Sequence, residues 1–263
     1  MDQQLINKVV QQVADELKIK PEEKTAEAGT QLCSSVGVTE FVGTAVGDTI
    51  GLVIASVDPM LVDVMKLGKY RSIGIIGGRT GAGPQIMAVD DAVKATNTEV
   101  ISIELPRDTK GGAGHGDLIY IGAEDVSDAR RAVEIALASL PKYFGDVYGS
   151  EAGHLEFQYS ARASQCIEKA FGSPLGKAFG MTCAGPAAIG TVLADVAVKA
   201  ANVEVVCYSS PGNGGTSFSN EVILIFTGDS GAVRQAVRAA RDVGIKLLGA
   251  LGSEPKSTTH PYI

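Results

Sequence analysis

The sequence has no tryptophan, and aromatic residues make up only 5% of its 263 residues. It therefore offers few of the aromatic platforms on which proteins stack nucleic-acid bases. Basic residues are also in the minority, with 23 Lys and Arg against 30 Asp and Glu, which gives a formal charge of −7. Because nucleic-acid phosphates and anionic membranes attract basic surfaces, this balance argues against either as a partner.

Long apolar runs and paired cysteines are absent as well. No stretch of about 18 uninterrupted apolar residues occurs, so we expect no transmembrane helix. The run MDQQLINKVV carries an acid and amides where a signal peptide needs basic residues before an apolar segment, so we expect a cytoplasmic protein. The four cysteines are scattered and form no C-x-x-C, which favours reduced thiols over disulfides or a zinc knuckle.

Residues 1–36 are predicted to lie outside the folded body. An amphipathic helix is indicated over residues 3–18 by apolar residues at every fourth position, namely Leu5, Val9, Val13 and Leu17. Residues 20–36 are polar, break at Pro21 and are typical of a linker. Two interpretations stay open: a frayed helix on the surface, or a peptide that docks into the groove of a partner.

The rest of the chain repeats itself. The nine residues from Ala92 to Val100 match those from Ala197 to Val205 with a shift of 197 − 92 = 105, and Asp90 falls on Asp195 with the same shift. Shifts of 104 to 106 elsewhere indicate one-residue changes in loops. We therefore predict two copies of one fold, in domains 37–150 and 151–263.

Each copy has the same predicted order of elements. In the first copy, strands are predicted over 51–57, 72–77, 99–105 and 117–122, and helices over 59–67, 85–96 and 126–140. In the second, strands are predicted over 155–159, 178–183, 204–209 and 221–226, and helices over 161–171, 187–201 and 230–243. Asp125 and Asp229 precede helices, where a carboxylate caps free N–H groups. The fold class is α+β, with two small domains that each have helices on a mixed sheet.

Three short motifs carry a resemblance to a known family. The runs AFGM (178–181), VKAANV (198–203) and GDSGAV (228–233) resemble the signature of bacterial microcompartment shell domains. In each copy a strand and a helix precede this signature, as in the circularly permuted tandem members of the family. Over residues 41–254, runs such as FVGTAVGDTIGLVIA, IELPRDTKGGAGHG and GTSFSNE resemble tandem shell proteins of propanediol-utilising microcompartments.

The resemblance implies an assembly. Such proteins have ferredoxin-like tandem domains and form homotrimers of pseudo-hexagonal outline, which tile facets of the cytoplasmic shell beside other shell proteins. Their pores carry small polar metabolites such as 1,2-propanediol or glycerol. It implies no enzyme activity, cofactor or metal, and residues 1–36 are a candidate anchor for a lumenal enzyme. The alternative is a soluble tandem ferredoxin-like regulator or enzyme that binds a metabolite, although no nucleophile–base pair stands out.

The resemblance also assigns residues to the edge of the tile. Four residues match the family's V-K-x-x-N motif at the lateral edge: Lys94, Asn97, Lys199 and Asn202. In the family, these lysines donate to carbonyl groups across the seam between tiles. The alternative is a solvated lysine at a helix C-terminus, where the helix dipole favours it.

Polar residues in three glycine-rich loops are the candidates for a pore wall. They are Arg79, Thr80, Glu104, His115, Asp117, Ser209, Ser210, Asn213, Ser217 and Asn220. Acceptors such as Asp117 and Glu104 would pair with the hydroxyl groups of a diol and leave an aldehyde unpaired. Ordinary turn chemistry is the alternative.

Phosphate and metal sites are not expected. The loop from Gly77 to Pro84 lacks the spacing of a nucleotide-binding loop. His115 has no second His or Cys at ligand spacing, and His154 and His260 are equally isolated in the sequence.

Overall fold

The computed structural model of the chain describes residues 37–106, 116–212 and 221–263. The helix and linker predicted over residues 1–36 lie outside these ranges, as do His115, Asn213, Ser217 and Asn220. Within the described ranges, no helix combines the length and the apolar character that crossing a bilayer requires.

The first domain is a sheet with helices packed on it. Its strands are β1 (Phe41–Ala45), β2 (Thr49–Ile54), β3 (Ser72–Gly78), β4 (Glu99–Glu104) and β5 (Asp117–Ala123). Its helices are α1 (Pro59–Val62), α2 (Gly83–Ala95) and α3 (Val126–Tyr143). The strand order is β1-β2-β3-β5-β4. Helix α3 packs across β1, β2 and β3, and α2 packs against α3.

The second domain repeats this plan. Its strands are β6 (Val147–Ser150), β7 (Gly153–Ser160), β8 (Ala178–Gly185), β9 (Val203–Ser209), β10 (Val222–Gly228) and β11 (Lys256–Ser257). Its helices are α4 (Gln165–Phe171), α5 (Ala187–Ala200) and α6 (Ser230–Gly249). The order is β11-β6-β7-β8-β10-β9, so β6 pairs in the second sheet although it precedes residue 151.

Every strand pair in the described ranges is antiparallel, which corrects the expected mixed sheets. The strands before and after each crossover helix do run in the same direction: β3 is parallel to β4, and β8 is parallel to β9. However, β5 lies between β3 and β4, and β10 lies between β8 and β9. The parallel strands of each crossover are therefore never neighbours, as in a split βαβ unit.

The predicted helices and strands are present in the structure. Two helices have other bounds than predicted, because local capping and turns set where they begin or end. Helix α1 stops at Val62 and the chain turns at Lys66, whose φ of 56° is left-handed. Helix α4 begins only at Gln165, because the hydroxyl of Ser164 accepts the N–H of Cys166. Asp125 and Asp229 do occupy N-cap positions, but neither side chain accepts a capping hydrogen bond.

The two domains share a core. Ile86 of α2 belongs to the same buried cluster as Cys166 and Ile167 of α4 and Phe179 and Met181 of β8. Helix α4 of the second domain thus packs against α2 and β4 of the first. The apolar area buried at this junction fixes the two repeats against each other.

Candidate functional site

A cleft of about 340 Å³, lined by apolar surface and a few polar side chains, lies between the domains. Two turns meet at it: the β1–β2 turn with Gly47 and Asp48, and the turn of the β6–β7 hairpin with Gly149, Ser150 and Gly153. The N–H of Thr80 donates to the carbonyl oxygen of Gly47 at 3.2 Å, which holds the loop after β3 against the first turn. The remaining lining residues are Phe144, Val147, Tyr148, His154 and Thr258.

Of the predicted pore residues, Thr80 lines this cleft. Arg79 is its exposed neighbour. Glu104 and Ser209 end the edge strands β4 and β9, with Ser210 beside the latter, and none of these three lines the cleft. The structure therefore does not gather the described part of the predicted set around one opening.

Asp117 is buried behind the loop that carries Thr80. An ideal Cβ on Gly78 would lie 2.5 Å from Asp117 Oδ2 and 2.6 Å from Gln85 Nε2, so only a glycine leaves room here. The Gln85 amide donates to Thr49 Oγ1 and to the carbonyl oxygen of Thr80, both at 3.0 Å. Burial raises the pKa of Asp117 to about 8, against the smaller effect of the Gly78 backbone N–H.

A second polar group is buried on one face of the second sheet. His154, Glu156 and Gln158 alternate along β7 and are all buried. His154 Nε2 lies 3.0 Å from Glu221 Oε2. A ring nitrogen of His154, a carboxylate oxygen of Glu221 and the sulfur of Cys183 all lie within 4.8 Å of one another. His154, isolated in the sequence, is thus paired in the fold.

Burial dominates the electrostatics of this group. It raises the pKa of Glu156 to about 8, with a further contribution from the charge of Glu221 and an opposing hydrogen bond from Gln158. Burial also raises the pKa of the Cys183 thiol well above its usual range, and the charge of Glu221 adds to this. Burial thus favours the neutral form of both groups, which avoids further buried negative charge beside Glu221.

The predicted edge residues occupy equivalent places in the two repeats. Lys94 and Lys199 lie in the last turns of α2 and α5, and Asn97 and Asn202 are exposed just beyond them. Each lysine pairs with the aspartate four residues earlier, at 2.5 Å for Lys94 and 2.7 Å for Lys199. Lys94 also donates to the carbonyl oxygen of Arg162 in the second domain.

Sequence reasoning missed the residues of the β6–β7 hairpin. Gly149, Ser150 and His154 line the cleft, but β6 is too short to give a clear alternating pattern. One signal was available: polar residues at positions 156 and 158 of the predicted strand 155–159, and at position 154 just before it, alternate as residues on one face of a sheet do.

Comparison with known proteins gives consistent matches. The BMC domain family matches residues 72–152 and 178–254. The bacterial microcompartment shell protein PduB of Citrobacter freundii is 60% identical over 263 residues, covering 99% of this chain and 97% of that protein. PduB of Salmonella typhimurium is 66% identical over 230 residues, covering 87% and 85%.

Solved structures agree with these matches. The crystal structure of a trimeric bacterial microcompartment shell protein PduB has a TM-score of 0.83 at 54% identity, covering 86% of this chain and all of that one. EtuB from Clostridium kluyveri also has a TM-score of 0.83, at 57% identity, with 86% and 99% covered.

Proposed function

The chain belongs to the BMC domain family, and we infer from that premise that it is a structural shell protein of a propanediol-utilising bacterial microcompartment, assembled as a trimer. The relatives reported above are shell proteins, which supports a structural role; that the chain has no catalytic activity is part of the proposal. The observation that carries the trimer is a difference in burial between two equivalent segments, α1 and α4.

Helices α1 and α4 are equivalent in the two repeats. Each is capped by a side chain, since Asp58 accepts the N–H of Met60 and Ser164 accepts that of Cys166. Each is followed by a residue in the left-handed region, Lys66 with φ 56° and Gly172 with φ 69°. Met60 and Leu61 therefore correspond to Cys166 and Ile167.

Their surroundings differ sharply. Cys166 and Ile167 are 0% exposed because they pack on the first domain, whereas Met60 is 82% and Leu61 48% exposed. The helix α1 thus presents the apolar side chains that its counterpart buries. Exposed apolar side chains grouped in this way mark interaction surfaces.

The complementary surface is the edge of the second domain. In the first domain, α4 covers the edge strand β4, and Lys169 Nζ donates to the carbonyl oxygens of Val100 and Ile101 at 2.8 Å. The equivalent edge strand β9 lacks such cover in the described part of the chain, and its Val205 and Tyr208 are exposed.

We therefore place α1 of a neighbouring copy on β9 and α5, in the position that α4 takes on β4 and α2. The rotation that relates the two domains within the chain then relates the second domain to the first domain of the next copy. Repetition of this rotation closes a ring when three chains meet. Lys199 would then donate to a backbone carbonyl of the neighbouring chain, as Lys94 donates to Arg162 within the chain. The remaining N–H groups of both lysines, together with Asn97 and Asn202, are candidates for contacts between tiles.

The cleft between the domains is the candidate passage for a small polyol. Asp48, Thr80 and Ser150 supply acceptors and hydroxyl groups around a volume of about 340 Å³, which holds a molecule of that size. The loops after β4 and β9, which follow Glu104 and Ser209, remain candidates for a second opening. Docking of a lumenal enzyme on residues 1–36 also remains a proposal.

The trimer is tested by Met60→Asp in the full-length chain, measured by analytical ultracentrifugation. A buried, unpaired carboxylate in the joint should shift the wild-type trimer to monomers at the same concentration. Leu251→Asp is the matched control, because Leu251 is also exposed but follows α6. A trimer that survives Met60→Asp unchanged would contradict this placement of α1.

A further inference from the structure

Three potential metal ligands meet at one end of the central strands of the second sheet. Strand register places His154 of β7 opposite Gly185 of β8, and Cys183 of β8 between Glu156 and Ile223. Glu221 directly precedes β10 on the same face as Ile223. Neighbouring strands therefore bring together an imidazole, a thiol and a carboxylate that lie far apart in the sequence.

The donor atoms are close and well buried. Nε2 or Nδ1 of His154, Sγ of Cys183 and a carboxylate oxygen of Glu221 lie within 4.8 Å of one another, and all three residues are buried. Nitrogen, thiolate sulfur and carboxylate oxygen are the three ligand types that Zn²⁺ takes in proteins. We propose that His154, Cys183 and Glu221 bind a divalent transition-metal ion, for which Zn²⁺ is the best fit.

The surroundings leave space and a route for the ion. Cys183, Glu221 and Glu156 line a small cavity of about 50 Å³, which has room for a water molecule as fourth ligand. His154 also lines the larger cleft between the domains, so the ion can enter from solvent past its ring. On loading, the ion replaces the hydrogen bond between His154 Nε2 and Glu221 Oε2, and the thiol proton of Cys183 leaves to solvent.

The first domain supplies an internal comparison. Its register places Asp48, Gly77 and Gly116 where the second domain has His154, Cys183 and Glu221. Of these, Asp48 alone has a side chain that commonly binds transition metals. The ligand set is thus a property of the second domain, and the fold does not need it in order to form.

Three variants remove the ligand atoms one at a time. His154→Gln replaces the imidazole by an amide of similar size, and Cys183→Ala removes the sulfur atom. Glu221→Gln removes the carboxylate charge with little change in shape. Two controls remove the same residue types at exposed positions, His260→Asn and Cys207→Ser.

The first measurement is the metal content of the full-length protein, purified under reducing conditions, incubated with ZnCl₂ and passed through gel filtration. Wild type and both controls should retain one zinc ion per chain. The three ligand variants should weaken binding by more than about 100-fold, which exceeds the loss on changing an outer-shell residue. Wild type that retains no zinc, or ligand variants that retain as much, would overturn the proposal.

A second measurement needs none of the ligand variants to fold. X-ray absorption of the zinc-loaded chain should give a first shell with one sulfur among nitrogen and oxygen ligands. With Co²⁺ in place of Zn²⁺, a thiolate-to-cobalt charge-transfer band should appear, and it should persist in Cys207→Ser. A shell without sulfur, or a band lost in Cys207→Ser, would assign the ion to another site.

Discussion

The Nζ atom of Lys94 lies 2.6 Å from the carbonyl oxygen of Arg162, so a lysine of the first domain donates to the backbone of the second. The same ammonium group lies 2.5 Å from the buried carboxylate of Asp90. Asp90 in turn accepts from the backbone N–H and the hydroxyl of Ser164, the residue that caps α4. Lys94 therefore neutralises the carboxylate that joins the two domains.

We expect Lys94→Met to lower the free energy of unfolding by about 3 kcal/mol, because it leaves a buried carboxylate without its cation. The side chain of Lys94 is 34% exposed, which puts the effect at the lower end of the range for buried pairs. Lys199→Met is the control: its pair with Asp195 is exposed, so its removal should change unfolding by less than about 1 kcal/mol. Chemical denaturation of both variants checks this, at protein concentrations low enough that the trimer dissociates. Equal losses of unfolding free energy in the two variants would contradict the prediction.

Asp117 should make the stability depend on pH. Its pKa is raised to about 8 in the fold from an ordinary 3.8, so between these values the native state holds a proton that the unfolded chain has lost. Its contribution is therefore present at low pH and is lost as the pH rises through this window. Because burial raises the pKa of Glu156 to about 8 as well, Asp117→Asn should remove about half of the fall and be more stable than wild type above pH 8, by on the order of 5 kcal/mol.

The check on Asp117 is denaturation at a series of pH values, with Asp229→Asn as control because Asp229 is exposed. The control should keep the slope of wild type. A slope that Asp117→Asn leaves unchanged would show that another group causes it.

The cleft can be narrowed without strain at Gly149. A Cβ at this position meets no atom within 4 Å, and its φ lies outside the left-handed region. Gly149→Phe should therefore fold normally and fill part of the cleft, and assembled shells should take up glycerol or 1,2-propanediol more slowly. Gly231→Phe is the control, since Gly231 is equally open but begins α6. If both variants take up the polyol at the same rate, the cleft is not the passage.

Asp146 anchors the end of the chain. Its buried carboxylate accepts from the backbone N–H groups of Tyr262 and Ile263, at 2.8 and 3.0 Å, and from Arg241 at 3.0 Å. Asp146→Ala should cost about 3–5 kcal/mol in unfolding free energy. It should also open residues 258–263 to cleavage by an added protease of broad specificity.

Asp242→Ala is the control for that experiment. Asp242 is exposed and also contacts Arg241, at 3.4 Å, so it removes a charge from the same arginine without releasing the chain end. Rapid digestion of Asp242→Ala would show that the arginine, and not Asp146, holds the segment.

Much of the fold could be predicted from the sequence because periodicity and repetition act locally. The match of residues 92–100 with 197–205 gave the duplication, and the apolar patterns gave most helices and strands. The sheets were expected to be mixed because sequence order does not show that β5 and β10 insert between parallel strands. The short strands β1 and β6 lack the length for a clear alternation.

The site was harder to predict because it is made by contacts across the chain. The sequence singled out Thr80 in its loop, but the hairpin that faces it, with Gly149 and Ser150, comes 70 residues later. His154 and Glu221 are 67 residues apart, and strand order alone brings them to 3.0 Å. Loop residues such as Glu104 and Ser209 were chosen for composition, which carries no information about distance.

The packing of α4 on the first domain means that every second joint of a closed ring exists as soon as one chain has folded. Those joints form at the effective concentration set by the covalent connection and are independent of how much protein a cell makes. The built-in joint and the free joint differ in sequence, with Cys166 and Ile167 in the first and Met60 and Leu61 in the second. Substitutions can therefore change the strength of the free joint without changing the built-in one.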